Sequence, residues 1–239
     1  MIGETFGDHE QGQLRERLLE VHARLCRTYQ CPIAYFHELD PVSELVSSLL
    51  SHRTKNADSK RAFDLLLSRF GSWEGVRDAE PREVRLACAS TTWPEQKAPR
   101  IQEVLRRVTS LRGRLELDFL ADLNVGDARA WLEALPGVGP KTSGAVLLFS
   151  HLHRPVMVVD SHHYRVAQRM GLLPSKLAEG PAHAFLEARL PAEWTAQQLY
   201  DHHEIFMLHG QRCCYAARPA CERCPVLDLC PTGRARQAH

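Results

Sequence analysis

Three groups of residues have types and spacings that could do chemistry. The first is "LPGVGPKTSGAV", Leu135 to Val146, where Gly137 and Gly139 flank a valine and Lys141 opens an apolar run, with Thr142 directly after it. Glycines permit positive φ and leave backbone N–H groups uncovered, and a helix starting after them adds its own unpaired donors. Together they form an anion site suited to a phosphate. Such a turn grips a nucleic-acid backbone without reading sequence. Lys141 is awkwardly placed, because a helix N-terminus already carries positive partial charge. That awkwardness is also activation: positive dipole ends or a dry cleft push a lysine down from about 10.4 toward neutrality, giving the free amine a nucleophile needs. By spacing alone the same residues also make an ordinary helix hairpin with a solvated lysine.

The second group lies nineteen residues on, in "VMVVDSHHYRVAQRMG". Asp160 follows four apolar residues and precedes a helix, where a carboxylate can cap the helix, stand in a pocket beside a cation, or do both. The third group is Cys214, Cys221, Cys224 and Cys230, spaced C-x6-C-x2-C-x5-C in a loop-rich segment. Four thiolates can hold a tetrahedral zinc or a cubane cluster, and the spacing leaves both open. Cys213 falls outside the pattern and reads as a spare buried thiol, although a neighbour could substitute for Cys214.

The elements that position these groups are helical. Leucines and valine at 14, 18, 19, 21 and 25 stripe one face of a helix from Gly12 to Tyr29. "DPVSELVSSLL" opens a second, with Asp40 as cap and Pro41 in the first turn. Further helices are expected near 58–70, 80–89, 96–111, 127–134 (capped by Asp127), 141–152, 161–170, 179–189 and 196–209. "PVMVVD" is the best alternating β pattern and is only six residues long. The chain therefore reads as all-α, with no internal repeat and a short basic tail, "GRARQAH".

Bulk composition limits the function classes. At 239 residues, 44% hydrophobic and 25% charged, the chain can bury a sizeable core as one large or two small domains. A net charge of +1 means that a nucleic-acid partner must be held by a local basic surface and backbone amides. The N-terminus "MIGETFGDHEQGQL" is acidic and polar, unlike a secretory signal, and no apolar run approaches a membrane span, so a cytoplasmic protein is expected. In that reducing compartment, crowding of five of eight cysteines between Cys213 and Cys230 argues for metal rather than disulfides. The histidine pairs 162/163 and 202/203 sit on expected helices without fitting carboxylate spacing and read as surface or core residues.

"LPGVGPKTSGAV" followed by "VVDSHHYRV" resembles the helix-hairpin-helix, Gly/Pro-rich loop and aspartate signature of the endonuclease III family of DNA glycosylases. The resemblance runs from about residue 12 to 233. It implies that Lys141 is the nucleophile, that Asp160 assists it, and that Glu133 in "LEALPG" occupies an acidic position near the active site. The cysteine spacing after "LHGQRC" is similar to the family's 4Fe-4S loop, and Arg218 within "YAARPA" corresponds to a basic residue that contacts DNA phosphates. "SLLSHRTKNADSKRA" lines up with a segment usually reading L-S-x-Q-T-x-D, but Arg53 stands at the glutamine and Asn56 at the aspartate. The glutamine is implied to fill the gap left by an extruded base. A second intercalating loop is implied at "TTWPEQKA", where Trp93 replaces a small or aliphatic wedge and Lys97 keeps a basic position. Trp93 could equally be core.

What the resemblance implies is a two-lobed all-α fold. A six-helix barrel would span 41–153, and 1–40 plus 154–239 would form a discontinuous cluster domain. The expected enzyme is a monomer acting on double-stranded DNA with damaged bases or abasic sites. It would remove oxidised pyrimidines through a lysine Schiff base and nick the strand by β-elimination. The competing readings are a monofunctional glycosylase of the same fold, which generally lacks the lysine, a non-enzymatic or weakly active damaged-DNA-binding protein, and, behind both, a redox protein using the cluster.

Overall fold

The computed structural model describes residues 8–237, so the expectation for the first seven residues lies outside the described part. The described chain is helical throughout, with no strand and one isolated parallel bridge between Leu39 and Ser150. It divides into two compact units, residues 36–154 and residues 1–35 with 155–239. Helix α1 (Asp8–Tyr29) belongs to the split unit.

The 36–154 unit begins with α2 (Pro41–Ser51), whose Asp40 cap accepts from the N–H groups of Val42 and Ser43, each at 3.0 Å. With Pro41 supplying the first helical φ, the helix starts where the sequence places it. Then come α3 (Asn56–Phe70), α4 (Trp73–Asp78), α5 (Pro81–Ala87) and α6 (Pro94–Arg112). The short α4 was not expected, because Gly71 and Gly75 interrupt any 3.6 period; its Ser72 cap and the Trp73 indole, donating to the Ser43 hydroxyl at 2.8 Å, hold it instead. After α6, α7 (Val125–Glu133) and α8 (Pro140–Phe149) complete the unit. The cap of α7 is not Asp127: Asn124 Oδ1 accepts from the Asp127 N–H at 2.9 Å, so the helix starts two residues earlier, through Gly126. Every residue of α8 from Ser143 to Phe149 is buried, and α8 packs along α2.

In the split unit, α9 (Ser161–Arg169), α10 (Glu179–Glu187), α11 (Ala196–Arg212) and α12 (Pro231–Gln237) follow in order, and α11 packs against α1 and α9. The basic tail is helical as far as Gln237. "PVMVVD" forms no strand pair. Val156 to Val159 are fully buried, and side chains replace the missing ladder: the Met157 N–H donates to Glu187 Oε1 (3.1 Å), the Val159 N–H to His183 Nδ1 (3.2 Å), and the His203 ring donates to the Val158 carbonyl (3.1 Å). Cys26 and Cys31 are joined as a disulfide, although a reducing compartment and metal rather than disulfides were expected. The turn after α1 folds the Cys31 N–H back onto the Cys26 carbonyl and sets the two Cα atoms 5.0 Å apart.

Candidate functional site

The hairpin between α7 and α8 is built as its residues dictate. Leu135 and Val138 are buried and anchor the turn, while Gly137 is exposed at a φ of 75°, a conformation side chains rarely adopt. A Cβ at Gly137 would also lie 2.9 Å from Cδ of Arg100, which reaches over the turn from α6. Gly139 caps α8 without a side chain and its carbonyl accepts from the N–H groups of Thr142 and Ser143, both at 2.9 Å. Pro140 and Lys141 are the first residues of α8, and Lys141 is half-buried at its mouth. The Ser143 hydroxyl donates to Glu133 Oε1 at 2.7 Å, so Glu133 clasps both sides of the hairpin.

One acidic group near Lys141 was not visible in the sequence. Glu44 lies on α2 and is only 3% exposed, with Oε1 accepting from the Ser48 hydroxyl at 2.9 Å and Oε2 lying 3.3 Å from His37 Nε2. Burial pushes its carboxyl up to about 7, opposed by the Ser48 hydrogen bond and by the positive charge of Lys141. His52, at the end of α2, is lowered by burial and then by the charges of Lys97, Arg53 and Lys141. Glu44 reads from sequence as one polar residue within an apolar helix; only packing against α8 shows that it is buried.

Arg53 and Trp93 are both exposed, the latter by 42%, so Trp93 is not a core residue. The Arg53 guanidinium lies 5.9 Å from the centre of the Trp93 ring. Asn56 begins α3 behind a Lys55 cap that makes no side-chain hydrogen bond.

Asp160 belongs to the split unit, Lys141 to the other. Asp160 caps α9, its Oδ1 accepting from the His163 N–H at 2.7 Å, directly after the buried run that ends at Val159. In the same unit Cys214, Cys221, Cys224 and Cys230 all line one enclosure, joined there by Cys213 and His209. Arg169 Nη1 donates to Cys214 Sγ at 3.3 Å and the Gly233 N–H to Cys230 Sγ at 3.2 Å, although burial pushes the Cys230 thiol up. His209, Cys213 and Cys224 offer ligand atoms within 4.8 Å of one another, a possible metal-binding group that shares only Cys224 with the expected set. Arg218, in the loop between the first two expected ligands, is exposed. Among the described residues no helix is long and apolar enough to cross a membrane.

Residues 46–191 match the family model described as "HhH-GPD superfamily base excision DNA repair protein". The chain is 29% identical over 209 residues to the Arabidopsis thaliana protein named "Putative DNA glycosylase At3g47830", covering 87% of this chain and 70% of the relative. It is 28% identical over 200 residues to "Endonuclease III" of Thermotoga maritima, covering 83% of this chain and 86% of that one. Its fold resembles the solved "Structure of a Trapped Endonuclease III-DNA Covalent Intermediate: Estranged-Adenine Complex" with a TM-score of 0.78 at 24% identity, over 95% of this chain and 98% of that one.

Proposed function

We propose that this chain, which belongs to the HhH-GPD superfamily of base excision DNA repair proteins and is an endonuclease III-type DNA glycosylase, also cleaves the strand, acting as a glycosylase and AP lyase on oxidised pyrimidines. The observation that carries this reading is the position of Lys141: a half-buried lysine at the mouth of a helix that is otherwise core, beside an exposed glycine turn suited to a DNA phosphate. A damaged base cannot be reached inside the stack, so the nucleotide is flipped out, at an unstacking cost of a few kcal/mol that is lower for a lesion.

The Lys141 amine attacks the sugar C1′ and forms the C–N bond as the glycosidic bond breaks, the base leaving with the electron pair. The Asp160 carboxylate stabilises the positive charge that develops on the sugar and accepts protons. The sugar ring then opens: the nitrogen lone pair forms the C1′=N iminium as the C1′–O4′ bond breaks and O4′ takes a proton. The iminium acidifies the neighbouring C2′ proton, whose removal forms the C2′=C3′ bond and expels the 3′ phosphate, and water then hydrolyses the imine to release Lys141. Glu133 supports the site by clasping the hairpin. Gly137, Gly139, Thr142 and Arg218 contact DNA phosphates, while Arg53 and Trp93 enter the duplex. The barrel assigned to 41–153 carries the lysine, and the domain of 1–40 plus 154–239 carries the aspartate.

Cys214, Cys221, Cys224 and Cys230 would hold a 4Fe-4S cluster: an all-sulfur donor set around one enclosure, with hydrogen bonds from Arg169 and Gly233 to two of its sulfurs, fits that group. When bound it supplies cross-linking of the C-terminal loop. The residues around it tie that loop to α9, since Arg169 also donates to the carbonyls of Tyr215 and Ala216, each at 2.6 Å.

Borohydride trapping tests the reading. The wild-type chain should give a covalent adduct with duplexes carrying an abasic site or an oxidised pyrimidine, and Lys141→Ala should bind both duplexes without trapping. Full nicking by folded Lys141→Ala would sink the assignment, and base release without trapping in the wild type would leave a monofunctional glycosylase.

A further inference from the structure

Arg53 and Trp93 both adopt left-handed backbone, at φ 51° and 57°. Residues with side chains persist there only where the surroundings over-determine them. The surroundings here centre on Lys97, a lysine that is only 8% exposed. Its Nζ donates to the Leu50 carbonyl (2.5 Å), the His52 carbonyl (2.8 Å) and the Thr54 hydroxyl (2.6 Å), so all three ammonium protons go to the end of α2 and the turn that follows it. Lys97 itself lies in the first turn of α6, and its own N–H donates to the carbonyl of Trp93, the residue capping that helix, at 3.1 Å. Thr92 adds two more links, its N–H donating to Thr54 Oγ1 at 3.1 Å and its hydroxyl to the Arg53 carbonyl at 2.9 Å. The two turns are thereby one body, and the Arg53 guanidinium is held within cation–π reach of the exposed Trp93 ring.

We propose that Lys97 is a positioning residue, tying the turn of Arg53 to the turn of Trp93 so that the two side chains enter damaged DNA as one preassembled cation–aromatic tip. This rests on the DNA glycosylase reading above. An extruded nucleotide leaves a gap in the stack; an indole face fills it by stacking on the flanking bases, and a guanidinium beside it donates to base edges or phosphates. Holding both in place beforehand avoids the cost of ordering two side chains on binding. Burial lowers the Lys97 ammonium to about 8, so keeping this group charged is itself unfavourable. The three hydrogen bonds of its ammonium offset that cost, and they also hold the turns of Arg53 and Trp93 in left-handed backbone.

The test is the preference of the full chain for a duplex carrying a tetrahydrofuran abasic analogue over the same duplex intact. Arg53→Ala and Trp93→Ala should each lower that preference about tenfold, the size of one lost base stack. Lys97→Met, a change at a group too buried to reach DNA, should lower it about as much, and adding Trp93→Ala to it should cost less than about twofold more, because coupled residues do not lose independently. A lysine serving stability alone would lower the denaturation midpoint and leave the preference at its wild-type value; that result, or fully additive losses, overturns the proposal. Should Lys97→Met fail to fold, Thr54→Val, which removes an acceptor of Lys97 and the partner of the Thr92 N–H, must show the same loss in folded protein. A wild-type chain that neither prefers the tetrahydrofuran duplex nor is trapped by borohydride fails the enzymatic reading itself; one that does both, while Lys97→Met loses nothing, fails only the positioning role.

Discussion

The Ser143 hydroxyl donates to Glu133 Oε1 at 2.7 Å, linking the last residue of α7 to the first turn of α8 across the glycine turn. Ser143 is fully buried, and its other acceptor, the Pro140 carbonyl, is longer at 3.2 Å. Loss of the carboxyl therefore leaves a buried hydroxyl with its weaker partner only. Glu133→Ala is expected to cost about 1 kcal/mol in urea denaturation, while Glu133→Gln, which keeps an acceptor, should stay within a few tenths. Affinity for an undamaged duplex should follow the same order, since the turn proposed to hold a DNA phosphate is what loosens. Equal affinities for the two variants would detach Glu133 from the hairpin.

Glu44 gives stability a pH dependence of unusual sign. Its folded carboxyl is raised to about 7 from the ordinary 4.5, burial being the main cause, so its contribution is fully present below 4.5 and lost as pH rises through 7. Glu44→Gln keeps the hydrogen bond from Ser48 and removes the titration. It should match the wild type near pH 4.5 and exceed it at pH 8 by up to roughly 3 kcal/mol, the energy of the shift. A gap that does not widen between those two pH values would show that Glu44 titrates normally.

The parts of this chain that could be read in the sequence are those fixed by local rules. Asp40 and Pro41, the glycine turn before Lys141, and Asp160 before α9 each carry their own capping or turn chemistry, and each sits where it was expected. Local rules say least where tertiary partners replace local ones. "PVMVVD" alternates like a strand, but its backbone groups are taken by His183, Glu187 and His203, residues 24 to 45 positions away. Asn124 took the cap that Asp127 was expected to supply, because a glycine within the first turn hid the true start. In the sequence Glu44 is one acid in an otherwise apolar helix, and Lys97 is only a basic position after Trp93. Their burial depends on helices that no periodicity brings together.

A buried histidine cluster predicts the opposite pH response in the split unit. His22 and His202 face each other with Nδ1 atoms 3.1 Å apart, and the His163 ring stacks on Phe206 at 4.5 Å with neither of its nitrogens hydrogen-bonded. Burial lowers His22 to about 4, and it lowers His163 and His202 well below their usual value, neighbouring histidines adding to the effect for both. With folded values depressed below an unfolded value near 6.5, stability is full above about pH 6.5 and lost as pH falls toward 4. His22 alone accounts for roughly 3 kcal/mol over that interval. His163→Leu removes one titrating ring and two unpartnered nitrogens, so it should be about 1 kcal/mol more stable at pH 7 and lose less between pH 7 and 5. Parallel pH curves for the two proteins would take His163 out of the acid response.

Two ligand sets compete for the enclosure near the C-terminus, and they differ at adjacent cysteines. The spacing selects Cys214 with Cys221, Cys224 and Cys230, whereas proximity groups Cys213 with His209 and Cys224. Cys214 receives a hydrogen bond from Arg169 on its sulfur, while the Cys213 thiol donates to the Ala220 carbonyl at 3.5 Å, within its own loop. A guanidinium donating to its sulfur sets Cys214, and not Cys213, against a cationic partner of the kind a cluster sulfur can keep. Cys214→Ser should therefore lose iron, acid-labile sulfide and visible absorbance, and Cys213→Ser should keep all three with a modest drop in melting temperature. Iron retained in Cys214→Ser and lost in Cys213→Ser would move the first ligand by one residue and bring His209 into the site, which His209→Ala would then check by the same iron count.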